Sequence, residues 1–175
     1  MRKRYLLSIF LIFTFLTSSG QTITELNRIN EHVWLKYYRA FEQLDYNLLA
    51  QIHASDLRRI QSERKLILNY KDYIDNFKKT FQQDKKDKTT RKMALRFTER
   101  IVGVETASER GIYQLTVNIG KPEERMFYGE FYVLHRKDDG IWKIFIGYDT
   151  TKKNSITSED YDAAFPIYDF RPFVK

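Results

Sequence analysis

The sequence predicts an α+β domain, with helices first and an antiparallel sheet after them. Three observations carry this. Apolar residues between Ile23 and Phe81 recur mostly at spacings of three and four. After Arg91 the period changes to two, in segments rich in β-branched and aromatic residues. Turn chemistry separates those segments, at Ser108-Glu109-Arg110-Gly111, Gly120-Lys121-Pro122 and Asp138-Asp139-Gly140. With 175 residues, 42% hydrophobic and 15% aromatic, the chain can build one core and is too apolar for disorder.

Residues 1–20 read as an export signal. Arg2, Lys3 and Arg4 precede an apolar stretch from Leu6 to Leu16, and Ser18 and Gly20 place small residues before a cut ahead of Gln21. The stretch is short for a stable span, although an uncleaved anchor is the alternative. The first helix of the mature chain carries Ile23, Leu26, Ile29, Val33, Trp34, Tyr37, Phe41 and Leu44 on one side. Thr22 with Glu25 fits a capping box at its start. Asp45 can stop this helix and cap a short second one containing Leu48, Leu49 and Ile52, with His53 to Asp56 as its exit. Residues 57–68 are ambiguous, with two short strands about Gln61 to Lys65. Tyr70, Tyr73, Ile74, Phe77 and Phe81 then define a helix, and a polar loop follows over Gln82 to Lys92. Strands are predicted over 92–106, 111–119, 125–136 and 141–150 as a meander. On the third of these, Met126, Tyr128, Tyr132 and Leu134 share one face, and Phe127, Phe131 and Val133 the other, so both faces need cover. A domain over 21–150 is thus followed by a tail over 151–175, whose five aromatic residues after Asp160 predict packing on the domain in extended form.

Composition excludes several classes. No cysteine means no disulfide, thiolate metal site or cysteine nucleophile. The formal charge of +7 falls to +4 once the signal is removed, and residues 78–92 alone carry seven basic against two acidic side chains. The basic character is local, which disfavours nucleic-acid binding; that segment reads as an anion- or glycan-binding patch or as a solvated helix end. His32, His53 and His135 have no metal-ligand spacing, and no GxSxG or phosphate-loop pattern occurs. Neither a metal nor a cofactor is expected. Asp138-Asp139-Gly140 reads as a hairpin turn and not as a calcium fragment.

Particular residues sharpen the fold. Tyr38-Arg39-Ala40-Phe41, Leu44-Asp45, Leu48-Leu49 and His53-Ala54-Ser55-Asp56 resemble the opening of nuclear transport factor 2-like, or SnoaL-like, domains. Gly140-Ile141-Trp142-Lys143-Ile144 resembles their closing strand, and the helix from Tyr70 to Phe81 sits where their third helix would. The resemblance spans about Ile23 to Asp149. It implies a cone, with a bent sheet wrapped on helices and a pocket at the wide end, and dimerisation through the outer sheet face. The family includes ketosteroid isomerases, dehydratases, polyketide cyclases and non-catalytic binding modules, so fold alone does not give function. Aligned with the isomerases, Tyr37 falls on the tyrosine that donates to the oxyanion, while the general-base position falls on Gln61. A glutamine cannot take a proton from carbon, which speaks against isomerase chemistry; Glu63 is the nearest carboxylate in sequence.

The function expected is an exported module, periplasmic or extracellular, that binds a small apolar or aromatic molecule as a homodimer without a membrane span. Tyr38, Phe41, Tyr73, Phe77, Tyr113, Tyr132 and Trp142 are candidate pocket walls, or simply core. Arg96 and Glu130 are a candidate polar pair in the pocket, with outer-face charges as the alternative. The second reading is an isomerase, dehydratase or cyclase, with Tyr37, His53, Asp56 and Glu63 as acid–base groups and His53 with Asp56 as a dyad. The third is a structural module whose pocket is filled by its own side chains or tail.

Overall fold

The computed structural model describes residue 20 and residues 22–174. The expected signal over residues 1–20 lies, apart from residue 20, outside the described residues. Residues 22–43 form one helix, α1, which is α-helical over 22–29, π-helical over Asn30–Trp34 and α-helical again over Leu35–Gln43. Thr22 lies within this helix, so the Thr22–Glu25 capping box does not form its start. Glu25 instead turns inward, accepting from the Trp142 indole at 2.9 Å and pairing with Lys137 at 3.1 Å. Leu44 closes α1 in the left-handed region (φ 51), and Asp45 caps α2 (Tyr46–Ile52) by accepting from Asn47 N at 2.8 Å.

β1 (His53–Gln61) follows α2 directly, where an exit turn was expected, and a turn over residues 62–65 leads into β2 (Leu66–Asn69). Asn69 caps α3 (Tyr70–Lys86), accepting from Asp72 N at 2.9 Å. This helix runs past Phe81 into the segment read as loop. Asp84 on its last turn is buried and gripped by Arg91 Nε and Nη2 at 2.6 and 3.0 Å. The meander comprises β3 (Arg91–Val102), β4 (Thr106–Val117), β5 (Arg125–Asp138) and β6 (Ile141–Thr150). Its first reversal lies at residues 103–105, not at Ser108–Gly111, which run inside β4.

The tail is more structured than an extended segment. Thr157 and Asp160 form a capping box that starts α4 (Ser158–Ala163), and β7 (Phe165–Pro166) pairs with Phe97 and Arg96. The seven strands form one curved, unclosed sheet in the order β2-β1-β6-β5-β4-β3-β7, with β1 parallel to β6 and the other pairs antiparallel. Ile29, Leu49, Leu57, Phe97 and Trp142 are fully buried between α1–α3 and the inner sheet face. Ile167 and Phe173 of the tail join this core after the chain rounds the β3 edge. No helix among the described residues is long and apolar enough to cross a membrane.

Two bulges decide which charges face inward. On β3 the pairing slips between Phe97↔Gly111 and Glu99↔Arg110, so Arg100 turns to the inner face opposite Glu109. On β6 it slips between Ile144↔His135 and Ile146↔Leu134, which turns Gly147 and Asp149 inward. The first bulge creates a fully buried ion pair, Arg100 Nε to Glu109 Oε1 at 2.6 Å. The second Glu109 oxygen accepts from Trp34 Nε1 at 2.7 Å and from His135 Nε2 at 2.8 Å. Arg100 also donates to Asn30 Oδ1 at 2.6 Å and to the Ile167 carbonyl at 2.9 Å, and Asn30 Nδ2 donates to the same carbonyl at 3.1 Å. Burial pushes the Glu109 carboxyl up, but Arg100 and His135 outweigh it and hold it at about 2.

Removing one partner from such a pair leaves a buried charge uncompensated. Glu109→Gln should therefore destabilise the fold by roughly 3–5 kcal/mol, read from the denaturant midpoint. The sign with pH follows from the depressed value. The Glu109 contribution is whole above the ordinary glutamate range and is lost as pH falls from about 4.5 toward 2, a slope the variant should lack.

Candidate functional site

The inner sheet face and the helices enclose an open chamber of about 200 Å³. Its walls are apolar and aromatic: Trp34, Tyr37 and Phe41 from α1, Tyr73 and Phe77 from α3, and Tyr113 and Phe131 from the sheet. The rings brace one another, with Tyr37 tilted against Phe41 at 5.0 Å and Phe77 edge-on to Tyr73 at 5.1 Å. Gln61, Tyr73, Phe77 and Asp149 also line an outer chamber of about 350 Å³, together with Glu63, Arg64, Asn76, Thr80 and Thr151. These shared residues make a waist between the aromatic-walled interior and an outer vestibule that carries Glu63, Arg64 and Asn76. Among the described residues of the tail, Thr151 at its start lines the vestibule and no aromatic residue lines either chamber.

Polar chemistry enters the chamber from β1 and β6, and from Arg91 on β3, whose guanidinium is held by Asp84. Arg59 Nη2 stands 2.7 Å from Asp149 Oδ1, an ion pair too poorly aligned to count as a hydrogen bond. The Arg59 and Asp149 side chains are only 14% and 27% exposed. Arg59 Nε, Gln61 Oε1 and Asp149 Oδ1 are all buried with no hydrogen-bond partner within the protein. Native interiors leave few such atoms, and three on neighbouring strands of one pocket point to a site rather than to a core. Burial raises the Asp149 carboxyl above its usual value, against the opposing pull of Arg59 and with a further push from Glu63. Burial likewise raises Tyr37, Tyr73 and Tyr113, the last to about 12, so all three phenols stay protonated and can donate.

Two glycines make room for this arrangement. A Cβ on Gly147 would stand 2.9 Å from Arg59 Nη1, so the bare strand lets the arginine lie across β6. A Cβ on Gly129 would stand 2.5 Å from the Tyr113 ring, which lies across β5 in the same way.

The residues singled out from sequence fall into three places. Tyr37, Phe41, Tyr73, Phe77 and Tyr113 line the inner chamber, and Glu63 lines the vestibule. Glu63 accepts there from Thr150 Oγ1 at 2.7 Å and Thr151 N at 2.6 Å. Others lie in the core. Trp142 is fully buried on Glu25, and Tyr38 is partly buried against the core. His53 is buried, packs on the Tyr73 ring at 5.0 Å and donates from Nδ1 to the Leu49 carbonyl at 2.6 Å. Burial lowers its pKa to about 4, so it is neutral near pH 7. The His53–Asp56 dyad does not form, because Asp56 is exposed and held bidentately by Arg136 at 2.8 Å. The rest lie on the outer sheet face. Arg96 sits 4.9 Å from the Tyr161 ring and donates to the Asp162 and Ala164 carbonyls at 3.2 and 3.3 Å. Glu130 pairs with Lys152, and Tyr132 lies under Arg110 at 5.1 Å. Arg96 and Glu130 are therefore not a buried pair in the pocket.

Sequence reasoning passed over Arg59 and Asp149. Its one pointer to this corner was Gln61, the position matched to the isomerase base. Asp149 at the end of an apolar strand, two residues after Gly147, is the signal that a bulge at Phe145 hides.

No protein-family model and no curated protein matches the sequence. Solved structures do. An NTF2-like protein with a cystatin-like fold from Novosphingobium aromaticivorans superposes with a TM-score of 0.62 at 13% identity, over 78% of this chain and 87% of that one. A ketosteroid isomerase-like protein from Erwinia carotovora atroseptica gives 0.55 at 17% identity, over 71% and 94%. An NTF-2 like protein of unknown function from Shewanella oneidensis gives 0.54 at 19%, over 74% and 97%. At these identities the likeness is one of fold.

Gly147→Ala should lower stability by roughly 1–3 kcal/mol through the clash with Arg59. Most of that cost should vanish in an Arg59→Ala background. Denaturation of the wild type, both single variants and the double variant measures the coupling.

Proposed function

Starting from a nuclear transport factor 2-like fold, we propose that this chain is an exported module that binds a small, mostly apolar molecule. One observation carries the reading: an open, aromatic-walled chamber that reaches an outer vestibule through a waist bearing buried polar atoms without hydrogen-bond partners. The described aromatic residues of the tail pack at the β3 edge and line neither chamber, which argues against a pocket filled by them. Export rests on the pattern of residues 1–20.

A second reading has one observation in its favour. Asp149 is a carboxylate of raised pKa lining the same chamber as Tyr37, and a carboxylate so placed can serve as a general base while a phenol donates to the developing oxyanion. Asp149→Asn separates the two readings. Binding of an apolar probe should survive it in both, whereas turnover of a substrate should disappear only for an enzyme.

The test is native mass spectrometry of the mature protein from its own host, followed by denaturation. A small apolar molecule released on unfolding, from a chain beginning at Gln21, is expected. An aromatic probe such as naphthalene at about 100 times its Kd should then add about 2.7 kcal/mol of stability to the ligand-free protein. Leu115 also lines the chamber, and Leu115→Trp, which fills it, should abolish that gain. A bare chain that no aromatic probe stabilises would overturn the reading.

A further inference from the structure

The three unpartnered atoms at the waist specify more than the presence of a ligand. Arg59 Nε can only donate. Asp149 Oδ1, on a carboxylate that already faces Arg59 Nη2 at 2.7 Å, accepts, as does Gln61 Oε1. Arg59 and Gln61 are inward neighbours on β1, and Asp149 is the direct partner of Gln61 on β6. One donor therefore stands beside two acceptors on adjacent strands. Rotating the Gln61 amide by half a turn would exchange one acceptor for a donor and leave Arg59 and Asp149 as they are. The charges of that pair already compensate each other at 2.7 Å, and Arg91, which also lines the chamber, is held bidentately by Asp84, so neither guanidinium stands as an uncompensated charge toward an incoming anion. The vestibule repeats the balance with Arg64 and Glu63.

Resting on the pocket reading above, we propose that the ligand presents a neutral donor–acceptor group to this waist, of the primary carboxamide class, and not a carboxylate or phosphate. Its carbonyl accepts from Arg59 Nε. Its N–H groups donate to Asp149 and Gln61. Its apolar body, sized for about 200 Å³, lies among Tyr37, Phe41, Tyr73, Phe77 and Tyr113. A carboxylate of the same size would satisfy Arg59 but set its charge against Asp149 and leave both acceptors without a donor.

The experiment titrates the mature protein near neutral pH with benzamide, benzoate and ethylbenzene, which share a ring and differ in the polar end. Benzamide should bind about tenfold or more tighter than benzoate. In Asp149→Asn, a near-isosteric change, that preference should shrink to about threefold or less as benzoate gains access to Arg59. Benzoate binding as well as benzamide to the wild type would overturn the proposal while ethylbenzene binding keeps the pocket reading intact. A preference undiminished in Asp149→Asn would overturn it too. Failure of all three probes would remove the pocket reading and the proposal together. The wild-type ratio decides alone should the variant fail to fold.

Discussion

The Glu109 carboxylate is the group around which this fold is arranged. An unpaired carboxylate could not stay ionised at zero exposure, since its desolvation costs several kcal/mol. Its two oxygens are met by Arg100 from β3, Trp34 from α1 and His135 from β5, all within 2.8 Å. Arg100 in turn needs Asn30 and the Ile167 carbonyl of the tail. The π-helical turn, three strands and the tail are thus fixed by one buried charge. The sheet cannot slip along β3 or β4 without exposing one member of the set or orphaning another.

A second buried pair, Arg59 with Asp149, lies on the same inner face with the opposite character. Glu109 has its partners within the protein and is held at about 2, as a carboxylate that stabilises structure should be. Asp149 is poorly aligned with its arginine, raised in pKa and left with neighbours whose polar atoms have no partner. In the Glu109 set one atom, His135 Nδ1, is likewise buried without a hydrogen-bond partner, whereas at the waist three such atoms fall together beside a cavity, and that clustering is where function is sought. The two pairs stand on either side of Phe131, which packs on Trp34 at 5.6 Å and lines the chamber. The structural network therefore supports the pocket wall directly.

The fold was legible where local signals and burial agree. The amphipathic helices, the Asp45 cap, four of the strands and the split faces of β5 all follow from period and turn chemistry. The aromatic half of the chamber followed too, because Tyr37, Phe41, Tyr73 and Phe77 lie on helix faces set by spacing. What failed was parity. Ser108-Glu109-Arg110-Gly111 has the composition of a turn, yet it lies within β4 because Arg100, Trp34 and His135 compensate Glu109 there. Each bulge adds one residue and reverses the facing of everything beyond it, so Arg100 and Asp149 read as surface charges when alternation is counted from Phe97 or Ile144. Nothing local announces these bulges, since their reason is the partner across the sheet. The α4 helix was missed for a simpler cause, as its Thr157–Asp160 box is present in the sequence but its six residues are too few to show a period.

The account turns on the contrast between the two buried carboxylates, and a carbon-detected NMR titration of the side-chain carboxyl groups tests it most directly. Glu109 should remain ionised until the pH approaches about 2. Asp149 should titrate above the ordinary aspartate value, and its signal should move when benzamide is added. A Glu109 that titrates in the normal glutamate range, or an Asp149 that titrates below an ordinary aspartate and does not respond to the probe, would contradict the division between structure and site drawn here.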